Sequence, residues 1–164
     1  MENSKRIISS EQALFRVAHI CAQKECCVYD IKRKLKNMGL PENEIEKIIN
    51  KLTAEKYIDE SRFTRIFIND KLRFNKWGER KIKEALRCKF VPKEIIENAF
   101  SEFSDTSLVE SLPDLLAKKR KSIAGKSEYE INTKLIRFAL GKGFTMDDVL
   151  KCLKNIDVDD FPDL

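Results

Sequence analysis

Sliding the chain along itself by 51 residues lays Ile31 on Ile82, Leu35 on Leu86, Leu40 on Val91, Pro41 on Pro92 and Ile45 on Ile96. A shift of 104 lays Ile31 on Leu135, Gly39 on Gly143, Leu40 on Phe144, Ile45 on Val149 and Ile49 on Leu153, a third and weaker copy. Apolar register kept in this way marks a repeat protein, whose units bury a continuous face by stacking on their neighbours. Within each copy the apolar residues recur at three and four, the period of one helix face and not the alternation of a strand. The expected fold is all-α: three tandem three-helix, helix-turn-helix-like repeats at residues 9–58, 59–104 and 105–157, then an acidic tail at 158–164. Each repeat encloses only a small core, so the modules should lean on one another and form an elongated, curved rod.

Helix boundaries follow from local chemistry. Ser9 with Gln12 and Ser127 with Glu130 have capping-box spacing, and Asp59 is placed to cap free N–H groups at a third start. Pro41 and Pro92 suit first turns, while Gly39, Gly78 and the Gly141–Gly143 stretch interrupt helices. Nine helices result. The fourth contains Phe63, Ile66, Phe67 and Phe74, and the seventh bears Leu108, Leu112, Leu115 and Leu116, with Pro113 in its first turn or at a kink.

Charge is segregated along the chain, although the net is only +5. From Arg62 to Lys89 ten basic residues face three acidic ones, and Lys118, Lys119, Arg120 and Lys121 form a second cluster. The end is acidic, with Asp157, Asp159, Asp160 and Asp163. The cationic block suits phosphates or an acidic protein surface, and equally a solvated face. Trp77, between Lys76 and Gly78, is either an exposed anchor or a wedge packed between helices.

Several function classes fall away. No apolar run is long enough to span a bilayer, and Met1 to Ser10 lacks the hydrophobic segment of a secretory signal, which predicts a cytoplasmic chain. Five scattered cysteines, Cys21, Cys26, Cys27, Cys88 and Cys152, do not form the even framework of a small secreted scaffold. His19, Cys21, Cys26 and Cys27 lack paired zinc-ribbon spacing, so buried thiols are expected and no metal or cofactor. Gly141-Lys142-Gly143 is too short for a phosphate loop, and no nucleophile or paired acid–base constellation stands out; an enzyme is not expected.

The middle repeat reads Asp59-Glu60-Ser61-Arg62-Phe63, then Gly78, Lys81-Ile82, Leu86 and Lys89-Phe90-Val91. The last reads Arg137-Phe138, Lys142-Gly143-Phe144 and Asp147-Asp148-Val149. In order and spacing these stretches resemble the RecX family from about Glu11 to about Ile156, with Glu60, Phe90 and Lys142 standing where Asp, Gly and Arg are commoner. Phe90 leaves that turn without the glycine a left-handed residue favours. On the resemblance, Asp59, Phe63, Gly78, Ile82, Leu86, Phe138, Gly143 and Phe144 are structural, and the apolar ones among them belong to the core.

The resemblance implies a cytosolic negative regulator of the RecA recombinase. It would lie in the groove of the RecA–DNA filament and slow ATP hydrolysis, strand exchange and filament extension, and so affect homologous recombination, DNA repair and the SOS response. The partner implied is the RecA filament, with weak DNA contact, no membrane and a monomeric state. The candidate contact surface is basic: Arg62, Arg65, Arg73, Lys76, Arg80, Lys81, Lys83, Arg87, Lys118, Lys119, Arg120, Lys121, Arg137 and Lys142. Two other readings stay open, a helical module that binds DNA directly without RecA and a plain protein adaptor.

Overall fold

The computed structural model describes residues 8–125 and 127–159, with side chains to residue 154. Ile156 and the acidic residues at 157–163 therefore lie outside the described side chains. The described residues form helices and no strands. The helices are α1 (Ser10–Gln23), α2 (Val28–Asn37), α3 (Glu42–Ala54), α4 (Glu60–Arg73), α5 (Glu79–Cys88), α6 (Lys93–Ser101), α7 (Asp105–Leu108), α8 (Leu112–Arg120), α9 (Glu128–Gly141) and α10 (Met146–Asp159). None is long and apolar enough to cross a membrane among the described residues.

Side-chain caps start several of these helices. The Ser9 hydroxyl accepts from the Gln12 backbone N–H at 3.2 Å while the Gln12 amide oxygen accepts from the Ser9 N–H at 3.3 Å. Asp59 accepts from the Arg62 N–H at 3.0 Å, and Ser127 from the Glu130 N–H at 3.2 Å. Pro41 occupies the position just before α3 and not its first helical residue, a one-residue difference from expectation.

A larger difference has a clear cause. The expected seventh helix is two pieces, the single turn α7 and then α8, because Pro113, with no N–H to donate, is accommodated only in a first turn. In α4 the buried line is Phe63, Thr64, Ile68 and Leu72, whereas Ile66 is 43% and Phe74 75% exposed. Thr64 tolerates full burial because its hydroxyl donates to the Glu60 carbonyl at 2.6 Å.

The 51- and 104-residue shifts reappear as one turn built three times. Leu40, Val91 and Phe144 donate N–H to the carbonyls of Leu35, Leu86 and Ala139 at 3.4, 3.2 and 3.2 Å. Gly39, Phe90 and Gly143 donate to Lys36, Arg87 and Leu140 at 3.0, 2.9 and 3.0 Å. This paired set is the Schellman ending of a helix, which needs a left-handed residue in the middle. All three comply, at φ 87 for Gly39, 56 for Phe90 and 99 for Gly143. The left-handed residue of the second turn is thus Phe90 itself, at a cost of roughly 1–2 kcal/mol for its Cβ.

Contacts divide the chain into two compact units, Met1–Ile66 with Leu86–Ala99 and Phe67–Ala85 with Phe100–Leu164. The first unit centres on α1, α2 and α3, whose core includes Ala13, Val17, Ile31, Leu35, Leu40, Ile45, Ile48, Leu52 and Ile58. The second joins α8, α9 and α10 through Leu112, Leu116, Leu135, Ala139, Phe144, Val149 and Leu153. Cys21, Cys26, Cys27 and Cys152 are buried and Cys88 is exposed. Burial pushes the Cys21 thiol up to about 12 and the Cys27 thiol up to about 11, and raises Cys26 and Cys152 as well. At neutral pH these groups are thiols, not the thiolates that bind metals or attack disulfides.

Two measurements probe this packing. Native protein treated with a disulfide reagent should lose one thiol rapidly, Cys88, and release the other four only on denaturation. Leu35→Ala and Leu116→Ala, each emptying a fully buried site, should lower stability by about 2–5 kcal/mol in urea titrations.

Candidate functional site

The second unit contains an unusually close backbone contact. The Gly78 N–H, just before α5, donates to the Lys142 carbonyl at 2.8 Å, and the Arg80 N–H donates to the Gly143 carbonyl at 3.2 Å. The end of α9 thus supplies acceptors to the first turn of α5, whose N–H groups have no partner within their own helix. Nothing larger than hydrogen fits between them. A methyl group on Gly78 would stand 2.5 Å from the Gly143 carbonyl carbon and 2.6 Å from the Phe144 nitrogen, and one on Gly143 would stand 2.6 Å from the Lys81 nitrogen.

This joint brings two lysine-flanked aromatic rings onto adjoining segments. Trp77, half-buried, has the Lys71 ammonium 4.8 Å and the Lys81 ammonium 4.6 Å from its ring centroid. Phe138 has Lys119 at 4.8 Å and Lys142 at 5.9 Å. Phe138 is half-buried and not a core residue as expected, because Leu135 and Ala139 occupy the inward face of α9. Trp77 is neither a bare anchor nor a sealed wedge. Each cation–aromatic contact contributes on the order of 0.5–1 kcal/mol at such a site, yet leaves the positive charge un-neutralised.

The predicted basic residues separate into distinct groups. Arg80, Lys81, Lys119, Arg137 and Lys142 belong to the segments around the joint, with Lys118 and Lys121 exposed in and after α8. Among the described residues Lys71, Lys81, Lys119 and Lys142 form no ion pair. Arg80 and Lys81 lie in the first turn of α5, where the helix dipole disfavours positive charge. Their placement runs against the stability of α5. Lys142, at the end of α9, is placed with the dipole.

Other members are engaged elsewhere. Arg62 bonds Glu25 through Nε and the Lys56 carbonyl through Nη2 at 3.1 Å. Lys83 pairs with Glu79 at 2.7 Å, and Arg120 with Glu128 at 2.8 Å. These three are positioned by carboxylates and present less charge than the sequence suggests. Arg65 and Arg87 are exposed but belong to α4 and α5 segments of the first unit. Arg73 and Lys76 line a separate groove of about 480 Å³ opposite Glu110 and Asp114. Lys71, absent from the predicted site, joins it because the chain folds back so that the Trp77 N–H donates to the Lys71 carbonyl at 3.0 Å, a turn with no sequence signature.

The family descriptions "RecX, second three-helix domain" and "RecX, third three-helix domain" match residues 59–99 and 108–153. A Regulatory protein RecX of Clostridium botulinum is 31% identical over 165 residues, covering 98% of this chain and 76% of that one. The Regulatory protein RecX of Clostridium beijerinckii is 34% identical over 137 residues, covering 80% and 63%. The chain thus spans less than two thirds of the length of that relative, and 60% of the Clostridium acetobutylicum one. The crystal structure of RecX from Lactobacillus salivarius has the same fold, with a TM-score of 0.79 at 21% identity over 91% of this chain and 97% of that one.

The joint makes a graded prediction for stability. Gly39 and Gly143 share a left-handed backbone, but a methyl on Gly39 meets nothing within 4 Å. Gly39→Ala should therefore cost only the backbone penalty of roughly 1–2 kcal/mol, and Gly143→Ala and Gly78→Ala distinctly more. Urea midpoints of the three variants check the order; equal losses at 39 and 143 would mean that the joint carries no weight.

Proposed function

Since the chain belongs to the RecX family, we propose that it is a non-enzymatic negative regulator of the RecA recombinase, acting in the cytoplasm as a monomer on the RecA–DNA filament. The observation that carries this reading is the surface built on the Gly78–Gly143 joint, where Lys71, Lys81, Lys119 and Lys142 hold un-neutralised charge beside Trp77 and Phe138. Trp is among the residues enriched at interface hot spots, and un-neutralised cations beside it suit an acidic or phosphate-bearing partner.

In this reading the three-helix repeats at 9–58, 59–104 and 105–157 are the working modules. A contact too weak to hold alone becomes useful when covalent linkage presents the next module at high effective concentration. Bridging successive filament subunits would oppose the rearrangements that accompany ATP hydrolysis and strand exchange, and a bridged end would not extend. Arg80 and Lys81 contribute charge at the site, and Trp77 contributes buried area on docking.

A titration of DNA-dependent RecA ATPase should show inhibition at substoichiometric protein. The double variant Arg80→Glu/Lys81→Glu should inhibit at least about tenfold more weakly, since reversing charges at a docked surface costs several kcal/mol, while melting no lower than the parent, since acidic residues suit the first turn of α5. Arg62→Glu, which breaks a local ion pair, should lower stability instead. Parent protein without effect on RecA across the titration would refute the proposal.

A further inference from the structure

Of the three equivalent turn residues, Phe90 alone carries a side chain, at φ 56, and the residue is 75% exposed. A phenyl held in a strained backbone costs stability and, turned to solvent, returns little burial to offset it, and strain retained in this way is a pointer to a contact made outside the fold. The ring lies beside Tyr29, with centroids 5.3 Å apart and planes at 46°. The Arg33 guanidinium is 5.7 Å from the Tyr29 centroid. Lys89 fixes the turn to α2 by donating to both carboxylate oxygens of Asp30, at 3.0 and 2.9 Å.

That ion pair neutralises the single acidic side chain of α2. Lys32, Arg33 and Lys36 remain exposed on the same helix. Two neighbouring rings in a patch whose acid is already paired have the chemistry of a stacking platform: an unpaired base covers the aromatic surface while its phosphates meet the cations. A duplex offers no free base face, so the patch suits single strands. We propose that Tyr29 and Phe90 form a stacking site for a base of single-stranded nucleic acid, with Arg33 as a phosphate partner. The site belongs to the first unit and does not rest on the RecA reading.

Anisotropy titrations of the purified chain with labelled oligo-dT, and with a mixed-sequence duplex of equal length, test this directly. The parent should prefer the single strand. Phe90→Gly, which suits the left-handed turn and so should fold, should bind oligo-dT about tenfold more weakly and lose that preference. Phe90→Trp should retain both, and Arg33→Gln should flatten the salt dependence. Ultraviolet crosslinking of a bromouracil oligonucleotide should mark the peptide holding Tyr29 or Phe90. Unchanged oligo-dT affinity in Phe90→Gly would overturn the proposal, as would crosslinks confined to the peptide holding Trp77. So would a loss of RecA inhibition with oligo-dT affinity intact, which would make Phe90 a protein anchor.

Discussion

A helix that must stop and reverse within two residues needs one residue in the left-handed region, and this constraint recurs at Gly39, Phe90 and Gly143. Around it are set the paired hydrogen bonds that end α2, α5 and α9 and the apolar residue that follows each turn, Leu40, Val91 or Phe144, all buried. The same backbone requirement has three separate outcomes. Gly39 is only a turn; Gly143 is a turn pressed against the start of α5; Phe90 is a turn that accepts strain to hold an aromatic ring at the surface.

The Gly143 turn has consequences beyond its own helices. By capping α5 with carbonyls from α9, it satisfies N–H groups that a side chain would otherwise serve, so the positions around Gly78 are relieved of capping duty. Asp, Ser or Thr, the usual capping residues, are not required there. That leaves Lys76, Trp77, Arg80 and Lys81 to be chosen for what they present outward. The close approach of two glycines is thus the structural condition for a cationic, aromatic first turn.

How much of this was legible in the sequence depends on how local its cause is. Capping at Ser9, Asp59 and Ser127 and the repeat register of the turns could be read directly, because each rests on a few neighbouring residues or on repetition. The buried side of α4 could not, since Phe63, Ile66 and Phe67 make as good a stripe as Phe63, Thr64, Ile68 and Leu72, and only tertiary packing chooses between them. The half-exposed Phe138 looked like core for the same reason. In the site, Arg80, Lys81 and Lys142 stood out as basic residues, but their convergence did not, because 65 positions of chain separate Gly78 from Gly143. Pairing of Arg62, Lys83 and Arg120 with Glu25, Glu79 and Glu128 was equally invisible as a reduction of surface charge.

The difference between a paired lysine and one laid on an aromatic face decides what such a surface can do. A carboxylate cancels most of the field of a neighbouring ammonium, and an exposed pair returns only about 0–1 kcal/mol to the fold. An aromatic face orients the side chain through its quadrupole while the full charge persists, reaching outward for roughly a Debye length of 8–10 Å. Lys71 and Lys81 on Trp77, and Lys119 and Lys142 on Phe138, are held in the second manner. Their repulsion for one another, and that of Arg80 and Lys81 for the α5 dipole, is a standing cost to stability that an anionic partner would relieve. Strain at Phe90 and charge at α5 are therefore the same kind of feature, a local rule of folding broken at the surface.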